Sequence, residues 1–152
     1  MRIESLHSEP ATLIARAEED MSLFKTVPPN LVQSIRAFRV TDLQEEAARL
    51  GQHFLYAYCA EATTKQQVLG CIANAFHFPK HFGKNFDALS DCLTDLPYKA
   101  GPQPGFLVVL EQLPNTQKFD KEARETLLDV FRDAADFWAD KNVAFRVFYS
   151  FQ

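Results

Sequence analysis

The chain is predicted to be an α/β protein, a small parallel sheet packed with helices and preceded by a mainly helical N-terminal extension. Apolar runs of strand length alternate with segments whose apolar residues recur at helical spacing, the pattern of β-α-β units. One run, Phe106 to Leu110, is apolar without interruption, as in a strand covered on both faces. Proline and glycine fall at the junctions, at Pro28-Pro29, Gly51 and Pro79. At 152 residues, one domain over 51–152 is expected, with residues 1–50 packed on it as an extension.

Each element has its own signal. Ser8 followed by Pro10 opens a helix whose stripe is Leu13, Ile14, Ala17, Met21 and Phe24, and which stops before Pro28. Ile35 to Val40 is a short strand-like run of ambiguous type. Thr41 and Gln44 stand at capping-box spacing ahead of a short helix that Gly51 closes. Phe54 to Cys59 reads as a buried strand. Thr63 or Thr64 caps a helix with Val68, Leu69, Ile72, Ala75 and Phe76 on one face, ending before Pro79. After the loop of Lys80 to Lys84 comes an acidic helix, then the central strand at Phe106 to Leu110. Ala123, Leu127, Val130, Phe131, Ala134 and Trp138 make a long amphipathic helix, and Val143 to Tyr149 the last strand. Right-handed crossovers would join these strands in parallel.

Composition narrows the function. A hydrophobic content of 47% with fourteen Phe supplies a real core, and a net charge of −4 lacks the basic stripe of a nucleic-acid binder. Acidity suits a basic protein partner. Acidic residues interrupt the N-terminal segment where a signal peptide needs an apolar core, and no run reaches membrane-spanning length, so a cytoplasmic location is expected. Cys59, Cys71 and Cys92 lack C-x-x-C spacing and are read as free, mostly buried thiols. His7, His53 and His77 show no paired metal-ligand spacing. Phe76, Phe78, Phe82 and Phe86 could make a base-stacking platform, but with few basic neighbours core packing explains them better.

The acidic stretch points to function. Asp87, Asp91 and Asp95 recur every fourth residue, so a helix through all three lines them on one face. Like charges at that spacing repel by roughly 0.2–0.5 kcal/mol per pair, and an acid near the C-terminal end opposes the helix dipole. A cationic partner would compensate. Asp87, in the first turn, also has a purely structural explanation, since a carboxylate there complements the dipole. Asn85 is placed to be the N-cap. Gly83 supplies either a backbone conformation other residues dislike or room for a partner to approach.

The same stretch, with Gly83, Asn85, Asp87, Ala88, Leu89, Asp91, Cys92, Leu93 and Thr94 in G-x-N-x-D-A-L-x-D-C-L-T, resembles the barstar family of intracellular ribonuclease inhibitors. Element order agrees from about His53 to the end, while the first fifty residues have no counterpart. The resemblance implies a three-stranded parallel sheet, no catalytic activity, no cofactor and no metal. It also implies a small basic ribonuclease or related toxin as partner, and an antitoxin or immunity role. Asp87 and Asp91 match the acids with which the family engages the ribonuclease active site. His81, Phe82, Gly83, Asn85, Ala88 and Ser90 would complete the contact face, with Asp133 on its flank. Carboxylates on a rigid helix can take the place of the scissile phosphate and accept charge-assisted hydrogen bonds from the same donors. Three positions depart from the family pattern: Ser90 replaces a tryptophan, His81 a tyrosine and Lys84 an acid. A different basic toxin or regulatory partner is the alternative they raise.

A rival from another class is a Mg²⁺-dependent phosphoryl-transfer enzyme, with Asp87, Asp91 and Glu111 or Asp133 as ligands. No phosphate-binding glycine loop accompanies them.

Overall fold

The uninterrupted apolar run around Phe106 forms the middle of the molecule. The computed structural model describes residues 23–97 and 105–152. Its elements follow in the order β1 (Asn30–Ser34), α1 (Val40–Leu50), β2 (His53–Tyr58), α2 (Lys65–Ala75), α3 (Phe86–Leu93), β3 (Gly105–Leu113), α4 (Lys121–Ala139) and β4 (Ala144–Phe151). The strands pair in parallel in the order β1-β4-β3-β2, so β3 and β4 are internal.

Period-two alternation sorts the inner strands between two cores. Phe106, Val108 and Leu110 of β3, with Phe145 and Val147 of β4, pack against α2, α3 and α4. Leu107, Val109 and Phe148 point the other way, onto Phe24 and the Leu43, Ala47 and Leu50 stripe of α1. All eight strand residues are at most 1% exposed. Full burial of such a side chain stabilises by about 1.5–3 kcal/mol, so these two inner strands hold the layers together.

The sequence predicts three strands, and the sheet has four. The additional strand is β1, whose sequence NLVQS shows little apolar alternation and is half-buried throughout. An edge strand needs no more. Pro29, just before it, still joins the ladder as an acceptor, its carbonyl taking a bond from Phe145 N at 2.9 Å. Asn30 secures the strand by donating from Nδ2 to the Ala135 and Val143 carbonyls at 3.0 and 2.9 Å.

The strand-like run at Ile35 to Val40 is instead the turn into α1. Phe38 N donates to the Ile35 carbonyl at 2.9 Å, and Arg36 adopts φ 49°. The capping box expected from Thr41 and Gln44 does not form, because the helix has already begun at Val40 with Arg39 as an N-cap that makes no side-chain bond. Gly51 does end α1, at φ 70°, its N–H directed to the Ala47 and Ala48 carbonyls. The helix expected from Ser8 lies outside the described residues, apart from the Phe24 end of its stripe, which forms a turn.

A buried cation fastens that turn to the sheet. Arg146 on β4 is 1% exposed. Its Nε donates to the Pro28 carbonyl at 3.0 Å, and the guanidinium lies 4.4 Å from the centre of the Phe24 ring. Carbonyl acceptors and an aromatic face stand in for the water that such a charge would lose. Among the described residues no helix is long and apolar enough to cross a membrane.

Candidate partner-binding face

Between α2 and α3 the chain twice takes left-handed backbone, at His77 (φ 58°) and Lys84 (φ 48°). Each costs a non-glycine residue roughly 1–2 kcal/mol. His77 ends α2 in the manner usual for glycine: Phe78 N donates to the Ala73 carbonyl at 2.9 Å and His77 N to the Asn74 carbonyl at 3.4 Å. The chain then packs inward through aromatic contacts, Phe76 to Phe78 at 5.8 Å and Phe78 to Phe82 at 5.4 Å between ring centres. These rings belong to the core on the α2 side of the sheet, as does Phe86.

Gly83 does not carry the left-handed turn, which falls on Lys84. A Cβ at Gly83 would lie 3.1 Å from Asn85 Nδ2 and 3.7 Å from Ala88 Cβ, so its small size leaves room for the helix cap. Lys84 rests along α2: its carbonyl accepts from Gln66 Nε2 at 3.3 Å, and its side chain runs past Gly70. The ammonium is therefore drawn to α2.

α3 is held at both ends. Asn85 is the N-cap, its Oδ1 accepting from Ala88 N at 2.7 Å. At the other end the buried indole N–H of Trp138, on α4, donates to the Leu93 carbonyl at 2.9 Å. Leu89 and Leu93 are buried, and Lys65 Nζ lies 5.2 Å from the centre of the Phe86 ring. Asp87 and Asp91 are exposed one turn apart, and neither joins an ion pair among the described residues.

The third acid departs from the expected alignment. α3 stops at Leu93 with Thr94 as its C-cap, so Asp95 lies past the helix end. Its field still reaches Cys92, whose thiol is held above its ordinary range by burial first and then by the Asp91 and Asp95 carboxylates.

Beside Asp91 opens a cavity of about 530 Å³. Phe76, Phe78, Leu96 and Phe106 give it an apolar interior, and His81, Asp91 and Asp95 contribute polar groups. Of the residues expected on the contact face, the cavity brings together His81 and Asp91. Phe82, Gly83, Asn85, Asp87, Ala88 and Ser90 are on the adjoining loop and helix, outside its lining. Phe82, Ala88 and Ser90 are half-buried, whereas His81, Gly83 and Asn85 are exposed. Asp133 is exposed on α4, the helix against which α3 packs.

His53, weighed in the sequence only as a metal ligand, stacks on Phe106 at 5.4 Å and lines the cavity together with Leu55, a place that sequence reasoning missed. The period-two relation between positions 53 and 55 was the available signal, since it puts both on one face of β2. Glu111 does not join the acidic group. It follows Leu107 and Val109 on the α1 side of β3 and accepts a hydrogen bond from the Tyr56 hydroxyl, with the sheet between it and α3.

A model of the family described as Barstar (barnase inhibitor) matches residues 52–150. The chain belongs to the barstar family. No curated protein matches it. The barstar match contains β2, α2, α3, β3, α4 and nearly all of β4, so three of the four strands belong to it. β1 and α1 precede it, which is why the sheet exceeds the three strands the barstar resemblance implies. The acidic helix lies inside the match.

Proposed function

We propose that this chain is a proteinaceous inhibitor of a small basic ribonuclease, acting in the cytoplasm as antitoxin or immunity protein. Residues 51–152 form the inhibitory domain, and residues 1–50 are an extension on it. The observation that carries the reading is the pair Asp87 and Asp91: exposed, without a cationic partner among the described residues, on a helix fixed at both ends. Such a helix loses little conformational freedom on binding. In the partner's active site its carboxylates accept from the Arg, Lys and His groups that normally hold the scissile phosphate. Asp91 is the central anchor. The adjoining cavity receives a partner side chain with an apolar stem, and His81, Phe82, Gly83, Asn85, Ala88 and Ser90 frame the contact, with Asp133 on its flank. The chain performs no chemistry; it blocks access.

The test is calorimetric titration into a small barnase-like ribonuclease, paired with an RNA-cleavage assay. One-to-one binding that abolishes cleavage is expected, with roughly tenfold to hundredfold loss in Asp91→Ala, the range for one charged hydrogen bond. Binding with cleavage intact would overturn the inhibitor reading. The three departures at His81, Lys84 and Ser90 favour one second reading, a different basic toxin bound through the same face. Absence of binding to the ribonuclease, with Asp91-dependent binding to another basic toxin, would establish it.

A further inference from the structure

We propose that Cys59 and Cys71 form a reversible dithiol–disulfide site, which closes when a small-molecule disulfide oxidises the protein. Cys59 directly follows β2, and Cys71 is in the middle of α2. Their sulfurs are 3.5 Å apart, the Cys59 thiol donating to Cys71 Sγ. The Cys71 thiol in turn donates to the Tyr58 carbonyl at 3.2 Å. A disulfide needs about 2.0 Å, so an approach of roughly 1.5 Å closes the pair. The two are 12 positions apart in the sequence, a separation that no redox motif announces.

Access to the two sulfurs is unequal. Cys59 is 1% exposed, and burial, followed by the adjacent Cys71 sulfur, pushes its thiol well above the ordinary range. Cys71 is half-buried and lines a cleft of about 300 Å³ with Tyr58, Glu61, Gln67 and Asn74. Cys71 therefore meets the oxidant first. Its thiolate attacks one sulfur of the small disulfide, whose S–S bond breaks and releases one thiolate. Cys59, losing its proton, then attacks Cys71 Sγ and expels the second. Two cysteine thiols and one small disulfide become one protein disulfide and two small thiols, the two electrons passing to the oxidant.

Closure staples the end of β2 to α2, the helix whose Gln66 and Gly70 support Lys84 in the loop before α3. Because the link spans a loop of about a dozen residues, the midpoint of thermal unfolding should rise by roughly 5–10 °C.

The full chain is incubated with oxidised glutathione, then followed by intact mass, peptide mapping after alkylation, and thermal melting with and without dithiothreitol. The expected product is lighter by two hydrogens, yields a peptide joining Cys59 to Cys71, melts higher, and reverts on reduction. Cys92→Ser should close equally well. Cys59→Ser should stop at a mixed disulfide on Cys71. A mixed disulfide on Cys71 that persists in the wild type overturns the proposal. So does oxidation confined to Cys92, or a folded protein left unchanged by conditions that oxidise the urea-unfolded chain.

Discussion

The indole N–H of Trp138 donates to the backbone carbonyl of Leu93 at 2.9 Å inside the core, so α4 holds the last turn of the acidic helix. Trp138→Phe keeps an aromatic ring there but leaves that carbonyl without its donor. The expected cost is about 2 kcal/mol, within the range for a buried acceptor left unsatisfied. Urea unfolding would register it as a lower midpoint at unchanged slope. An unchanged midpoint would show that the contact contributes nothing.

Lys84 places a positive charge next to the face proposed to meet a basic partner. Reversing it with Lys84→Glu should speed association, up to about tenfold at low salt, with little change in dissociation, since rim charges act mainly on the on-rate. Stopped-flow association across a salt series checks this. A slower association, or one indifferent to salt, would refute the orientation proposed for the complex.

Arg146 is the fastening between the sheet and the turn at Phe24 to Pro28. Arg146→Met fills a similar volume but cannot donate, so the Pro28 carbonyl loses a charged donor, at about 1.5–3 kcal/mol. Hydrogen exchange should report lower protection in residues 23–35 than elsewhere. Equal loss across the whole sheet would mean that Arg146 supports the core generally.

Alkaline pH should weaken the fold. Burial, and then the hydrogen bond to Glu111, raise the Tyr56 hydroxyl above its ordinary value of 10.0. The folded state therefore keeps a proton that the unfolded state has released. Tyr56 contributes its full stability below pH 10.0 and loses it as pH climbs beyond. The Cys59 and Cys92 thiols, raised above 9.0, act with the same sign from a lower pH. Urea midpoints between about pH 8 and 11 should fall, and fall less steeply at the upper end in Tyr56→Phe. A flat profile would contradict the assigned cause.

Much of this fold was legible in the sequence because its signals were local and strong. The FLVVL run is apolar on consecutive residues, and only a strand covered on both sides buries them all. The stripe from Leu127 to Trp138 repeats at helical spacing, and Asn85 and Gly51 cap the helices they were expected to cap. What escaped was set by distant partners. β1 is a strand because Asn30 to Ser34 find Phe145 to Tyr149 beside them, not because NLVQS prefers to be one. Burial of Arg146 depends likewise on the carbonyls and ring at Phe24 to Pro28, far away in the sequence. At the candidate face, spacing aligned Asp87 and Asp91. It could not show that α3 ends before Asp95 or that His53 meets Phe106 across two strands.

The bond from Asn30 to the Val143 carbonyl joins groups 113 positions apart, and between them lies nearly the whole described chain. During synthesis the first described strand must therefore wait for the last. Until β4 emerges, β1 has no ladder to complete, and until β1 arrives the outer edge of β4 is open to any extended segment nearby. Long loops are slow to close, so sealing that edge should be a late step in folding. The interval before it is when a nascent chain of this protein is most exposed to aggregation.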